Sequence, residues 1–261
     1  MRAGIITGSG TESWPGLDGP RTRTVHTHYG QVKLTEGKAG GAEVVHLARH
    51  GAGHRRLSSH VNHRANLAAL LDAGVDCLIS LTVCGAVDPG ARPGTVIVFD
   101  DLYFPGNRLP DGSLCTWYEE PGAAGRGHWI FGRPFSDPIR SALARAGEET
   151  GTAVRAGGCY GHVDGPRFNS RAEIAALAGC GVTAVSQTAG PEVILAGEAG
   201  LPMALAGFVT DYACGVGEPE PVEALLARMR DSTGTLAALV ERALPRIGEL
   251  RAAGLVHRFD P

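Results

Sequence analysis

The sequence predicts an α/β fold with a mostly parallel sheet, and three observations carry that expectation. Short apolar runs that do not alternate with polar residues, at 2–6, 42–48, 76–83 and 203–209, read as strands buried on both faces. Between them lie segments with apolar residues at helical spacing. The 38 glycines of the 261-residue chain gather in short loop signals, as tight strand-to-helix turns require.

Residues 2–6 form the first expected strand, and Thr7-Gly8-Ser9-Gly10-Thr11 follows it directly. Glycines there let the backbone curl around an anion, although an ordinary turn explains G-S-G equally well and no third glycine completes a dinucleotide fingerprint. Residues 42–48 (AEVVHLA) form a second strand that runs into Arg49-His50-Gly51, with His54, Arg55 and Arg56 close behind. Cationic donors on permissive glycines suit an oxyanion cradle; the competing reading is a solvated basic turn. From His60 the positions Val61, Ala65, Ala68 and Leu71 have helical spacing that ends near Gly74. Asn62 and Asn66 then share one face. Residues 76–83 (DCLISLTV) give a buried strand ending at Thr82-Val83-Cys84-Gly85-Ala86, and 95–99 another.

The polar, glycine- and proline-rich region 100–137 is too long for a plain connection and holds Trp117, His128 and Trp129. A helix is expected at 138–149 with Ser136 or Asp137 as its N-cap. The stretch 159–192 then combines a rigid Gly-Pro-Arg-Phe corner, a helix, a strand ending in Ser186-Gln187-Thr188 and a helix start, so it is the expected floor of a site. Residues 203–209 form a strand that ends at Thr210-Asp211. From 220 to 253 the chain reads as largely helical, with Val222, Leu225, Leu226 and Met229 on one stripe. Neither a repeat nor a linker divides the chain, so residues 1–261 are expected to form one domain.

Composition narrows the function. A net charge of -3 argues against a nucleic-acid surface, which needs a concentrated basic face. Without an apolar run of eighteen residues nothing is expected to span a membrane, and without a signal-peptide pattern a cytoplasmic location is expected. The six cysteines are scattered with no C-x-x-C pair, and read as small thiols rather than disulfides or zinc ligands; no metal is expected. Ligands of α/β sheets lie beyond the carboxyl ends of the strands. Ser9, Arg49, His50, Thr82, Thr188 and Asp211 all occupy such ends. Arginine, histidine and hydroxyl donors suit a phosphate-sized oxyanion, Asp211 can handle a proton or accept a ring N–H, and Phe168 offers a face to a flat ring.

These same segments resemble the trimeric purine nucleoside phosphorylase family and, within it, the 5'-methylthioadenosine phosphorylase branch. The matching stretches are GIITGSG (4–10), ARHGAGH (48–54), VNHRAN (61–66), LTVCGAV (81–87), GHWIFGRPFSDP (127–138), GPRFNSRAE (165–173) and VTDYA (209–213). The resemblance implies a single α/β domain around a mixed, partly barrel-like sheet flanked by helices, active as a homotrimer or a dimer of trimers. It implies phosphorolysis of a nucleoside to free base and a ribose 1-phosphate, with 5'-methylthioadenosine as the default substrate, inorganic phosphate as co-substrate, and no cofactor. Ser9, Arg49, His50, Thr82 and Thr188 match the family's phosphate ligands. Phe168 matches the aromatic against the base, Val83, Cys84 and Gly85 the loop beside it, and Asp211 the carboxylate at the purine five-membered ring. His128 resembles a histidine that a neighbouring subunit places near the sugar 5' position.

Four positions depart from the family pattern. Ala213 replaces a second aspartate that helps to read the 6-amino group, Gln187 replaces a methionine against the ribose, Ser186 replaces a glycine, and His162 stands where a smaller or apolar residue is usual. The first two bear on the base. A 6-oxopurine nucleoside, or a specialised, even pyrimidine, nucleoside, is therefore an alternative substrate. A nucleoside hydrolase and a non-catalytic nucleoside-binding protein are the alternatives outside that chemistry.

Overall fold

The computed structural model describes residues 1–9, 13–218 and 220–259, so Gly10 and Thr11 of the first glycine loop, and residues 260–261 of the expected domain, lie outside the described residues. In chain order the strands are β1 (Arg2–Thr7), β2 (Asp18–Thr27), β3 (Gly30–Ala39), β4 (Ala42–Ala48), β5 (Cys77–Ala86), β6 (Val96–Val98) and β7 (Asp101–Tyr103). They continue with β8 (Gly127–Ile130), β9 (Val154–Ala156), β10 (Cys159–His162), β11 (Val182–Ser186), β12 (Met203–Tyr212) and β13 (Leu255–Arg258). The helices are α1 (His63–Asp72), α2 (Asp137–Thr150), α3 (Arg171–Gly179), α4 (Ala189–Glu198) and α5 (Val222–Ala243).

Among the described residues eleven strands form one mixed sheet, and β8 pairs with β13 in a separate ribbon. The apolar runs behave as buried strands because both faces of the sheet are covered. Ile6, Val45, Leu78 and Leu205 pack on one side with Ala65, Leu70, Val193 and Leu195 from α1 and α4. Their neighbours Ile5, Val44, Ile79 and Ala204 pack on the other with Ile139, Leu143, Leu239 and Val240 from α2 and α5. Period-two alternation therefore divides apolar residues between two cores, which is why no polar face shows in the sequence.

The sheet branches at β5, and the branch makes the site. Along one edge of β5 runs parallel β12, from Leu78 to Ala86. Along the other edge β1 pairs only with Cys77–Ser80, and antiparallel β11 pairs only with Gly85 and Ala86. Residues 81–84 are left between them without a strand partner on that side. The carboxyl ends of β1 and β11 flank this gap. At the same level a bulge in β12 sets Val209 against Cys84 and Asp211 against Gly85, inserting Thr210 between them; bulges of this kind re-aim a side chain.

Several details differ from the sequence expectations. The antiparallel hairpin β2–β3 falls in a stretch for which the pattern predicted no element. Within 100–137 the chain adds β7 and β8, and Trp117 and Trp129 anchor it by donating from Nε1 to the carbonyls of Leu195 (2.8 Å) and Ala253 (2.7 Å). The C-terminal helix stops at Ala243, well before the expected 253, and the chain returns as β13. Ser136 is the N-cap of α2, but its hydroxyl donates to the Arg251 carbonyl at 2.7 Å instead of capping. Asn62 caps α1 by accepting from the Ala65 amide.

Candidate active site

A cavity of about 370 Å³ opens in the gap beside β5. Every sequence-predicted site residue except His128 lines it: Ser9, Arg49, His50, Thr82, Val83, Cys84, Gly85, Phe168, Ser186, Gln187, Thr188, Asp211 and Ala213. His128 lies on β8, exposed, with its ring edge-on to Phe259.

One end of the cavity is built for an oxyanion. Arg49 and His50 follow β4, and both are buried, which excludes the solvated basic turn. The Arg49 guanidinium donates Nε–H to Glu192 Oε1 (2.5 Å), Nη2–H to Glu192 Oε2 (2.9 Å) and to Ser80 Oγ (2.8 Å), and Nη1–H to the Leu81 carbonyl (3.2 Å). Of five N–H groups one, on Nη1, remains for a ligand. Gly8 is needed there, because a Cβ would stand 2.8 Å from Arg49 Nη1. His50 Nδ1 donates to the Arg56 carbonyl at 2.8 Å, and its ring stacks on His54. Burial, with Arg49 adjacent, lowers the His50 pKa to about 4, so the ring is neutral and its Nε2 is an acceptor. Thr82 Oγ1 lies 2.9 Å from Ser186 Oγ. Thr188 is the N-cap of α4 yet spends no side-chain hydrogen bond on the cap, and the positive end of that helix favours an anion.

The other end is mostly apolar. Val163, Ile174, Val185 and Ala213 line it, and Phe168, 72% exposed, stands at its mouth. Asp211 is the one carboxylate lining the cavity among the described residues. Thr210 Oγ1 donates to its Oδ1 at 2.7 Å. Burial raises the Asp211 pKa, with that hydrogen bond and the nearby Arg228 guanidinium pulling it back. In its protonated form the carboxyl can donate to a ring nitrogen. From α5, Leu225 and Met229 add an apolar wall.

The departures from the family pattern fall into place differently. Ser58 Oγ donates to Gln187 Oε1 (2.9 Å), and Gln187 Nε2 donates to the Arg167 carbonyl (3.0 Å). The amide is engaged by the protein at both ends. His162 lies outside the cavity lining, accepting from the Gly190 amide at 3.3 Å, with its ring edge-on to Phe104. The sequence reading missed Glu192, Ser58, Thr210 and Arg228. Glu192 carries no signal, since a glutamate in the first turn of a helix reads as dipole compensation.

The branched sheet and its cavity, with oxyanion donors at one end and a mostly apolar, one-carboxylate end opposite, define an α/β enzyme that brings an anion to a planar ring compound. Comparison with known proteins agrees. The model of the phosphorylase superfamily matches residues 2–245. The 6-oxopurine nucleoside phosphorylase of Pyrococcus furiosus is 33% identical over 97% of this chain and 96% of its own. The S-methyl-5'-thioadenosine phosphorylase of Anopheles gambiae is 32% identical over 96% and 90%. Methylthioadenosine phosphorylase from Schistosoma mansoni, solved with adenine, superposes with a TM-score of 0.85 at 30% identity, over 94% of this chain and 91% of that one. The chain belongs to the phosphorylase superfamily, and within it to the nucleoside phosphorylases of the methylthioadenosine phosphorylase branch. It is thus a pentosyltransferase.

Proposed function

We propose that this enzyme cleaves the N-glycosidic bond of a purine nucleoside carrying an apolar 5' substituent, with 5'-methylthioadenosine as the reference substrate and inorganic phosphate as the attacking group. The observation that carries this reading is one cavity lined both by the spare N–H of Arg49 and by Asp211, a carboxyl whose pKa burial raises. Phosphate held by donors from Ser9, Arg49, Thr82 and Thr188, with its own O–H donating to His50 Nε2, attacks the anomeric carbon as the bond to the base breaks. The sugar gains oxocarbenium character, which the bound phosphate stabilises, and Asp211 relieves the negative charge of the leaving base. Phe168 covers the base, and Leu225 and Met229 suit a methylthio group better than a hydroxyl. No cofactor enters this scheme.

The active unit in this reading is a cytoplasmic homotrimer. The β8–β13 ribbon supports it: Ile130, Leu255 and Phe259 are exposed around His128, an apolar surface suited to a neighbouring subunit whose cavity His128 would complete.

Ala213 favours a second reading for the base. Its methyl group packs toward Gly85 where a carboxylate would receive a 6-amino group, so 6-oxopurine nucleosides lose nothing here that 6-aminopurines keep. A screen of adenosine, methylthioadenosine, inosine, methylthioinosine, guanosine and uridine with and without phosphate tests both readings. Phosphate-dependent release of base with formation of the sugar 1-phosphate is expected; equal turnover without phosphate would make the enzyme a hydrolase. Ala213→Asp should raise activity on 6-aminopurines relative to 6-oxopurines by about tenfold, the order of one charge-assisted hydrogen bond. An unmoved ratio would mean that the base lies elsewhere.

A further inference from the structure

Behind the oxyanion end of the cavity, Arg49 is packed into a buried polar cluster with Glu192 and Ser80, neither of which lines the cavity. Glu192, on the first turn of α4, has no solvent exposure, and neither does the Arg49 side chain that it faces. Its two oxygens take Nε–H and Nη2–H of Arg49, and Ser80 Oγ donates to Oε2 at 2.6 Å. Bidentate pairing fixes a guanidinium in its plane as well as in position. Here the fixed plane is what leaves a single Nη1 N–H on the cavity side, beside Gly8.

We propose that Glu192 is the positioning residue for phosphate affinity: it holds Arg49 in the one orientation that presents Nη1 to the oxyanion, and touches no substrate itself. This rests on reading the site as a phosphate site.

The surroundings of Glu192 reserve its charge for Arg49. From α1, His63 Nδ1 stands 3.8 Å from Glu192 Oε1, and from β10, His162 accepts from the amide of Gly190, two residues before Glu192; Ser80 comes from β5. A cationic His63 would compete with Arg49 for the carboxylate. Burial instead lowers its pKa to about 4, and that of His162 to about 3, so both rings are neutral at neutral pH. Burial pushes the Glu192 carboxyl up, but the charge and hydrogen bonds of Arg49 outweigh it, and the pKa is lowered. One anion and one cation remain, matched to each other. If the pair were merely structural, loosening it would harm both substrates alike.

The test is steady-state kinetics on Glu192→Gln, Glu192→Asp and Ser80→Ala, with the thermal shift produced by inorganic phosphate alone as a second readout. Glu192→Gln keeps the shape and one acceptor but loses the charge. The expected result is a KM for phosphate raised by about tenfold or more, the order of a charge-assisted hydrogen bond. The KM for nucleoside should stay within about twofold, and the phosphate-induced shift should shrink in parallel. Ser80→Ala leaves the bidentate pair in place and should raise the phosphate KM by only a few-fold. Should Glu192→Gln not fold, Glu192→Asp and Ser80→Ala carry the same comparison. Unchanged phosphate KM in a folded Glu192 variant, or equal rises in both KM values, would overturn the proposal. If the unmodified enzyme cleaves nucleosides without phosphate, the functional reading fails; the positioning of Arg49 is still judged by whether Glu192→Gln abolishes the phosphate-induced thermal shift.

Discussion

In the proposed reaction, the rate depends on the proton that Asp211 supplies to the leaving base. Its Oδ1 is held by Thr210, and no hydrogen bond from the described residues falls on Oδ2. Burial raises its pKa, so a larger share of the carboxyl carries a proton at neutral pH than an exposed aspartate would. Asp211→Asn keeps the shape and a donor but cannot hand over a proton. We expect its kcat to fall by about a hundredfold or more, the usual contribution of a general acid, with the KM for phosphate unchanged. In the proposed reaction the protonated form is the active one, so turnover limited by the chemical step should fall as pH rises through the pKa of Asp211. A mutant with unaltered kcat would show that the base leaves without help. Arg228 tunes this group from α5: its Nη1 donates to the Thr210 carbonyl at 2.9 Å while pairing with Glu220.

At the scale of elements, Gln187 joins three segments. It ends the β11 loop that carries Thr188, bonds Ser58 in the loop after Arg49-His50, and bonds the Arg167 carbonyl in the corner that carries Phe168. The corner lies directly on this pair, since a Cβ on Gly165 would come within 1.9 Å of Gln187 Oε1 and 2.3 Å of Ser58 Oγ. Beyond it, Ser170 and Glu173 form a capping box that starts α3. Gln187→Ala should release the corner and raise the nucleoside KM about threefold to tenfold, the cost of one or two hydrogen bonds, with the phosphate KM unmoved. Ser58→Ala should do the same, and the double variant should be little worse than either, because both remove one connection. Additive losses would mean that Gln187 binds the substrate directly. The sequence invited that second reading, because an amide beside a site looks like a ligand for sugar or base. What it hides is the partner: Ser58 lies 129 positions away, and nothing local marks the pair. Glu192 is hidden from Arg49 in the same way, across 143 positions. By contrast the site residues at strand ends were legible, since a polar group after a buried strand has few places to go in an α/β fold. The hairpin β2–β3 was not. Most of β2 is exposed, so its threonines and arginines carry no buried pattern to read.

For the whole molecule, burial of histidines has an electrostatic consequence. Three histidines, His46, His50 and His63, are buried and His162 is half-buried, and each is neutral in the folded chain at neutral pH. Burial holds the first three at a pKa of about 4 and His162 at about 3, against 6.5 for an unfolded histidine. Below pH 6.5 the unfolded chain therefore binds protons that the folded chain refuses. By linkage, stability is fully present above pH 6.5 and is lost as pH falls toward about 4. His63, fully buried, alone accounts for about 3 kcal/mol across that window. Glu192, lowered by Arg49, works in the same direction further into the acid range. Asp211 and Glu198 oppose it, since burial raises both and the folded chain takes up their protons first. Two raised carboxyls against four depressed histidines leave the histidines in control between pH 6.5 and 5. The melting temperature should thus be level above pH 7 and drop steadily from 6.5 to 5, with unfolding at pH 5 taking up more than one proton in calorimetry across buffers of different ionisation enthalpy. His63→Leu should flatten part of that slope even if it lowers stability at pH 7.5, because it removes the proton acceptor from the unfolded chain. A melting temperature that stays constant from pH 7 to 5 would mean that these rings are charged and solvated in the folded enzyme, and that the polar cluster around Glu192 is open to water.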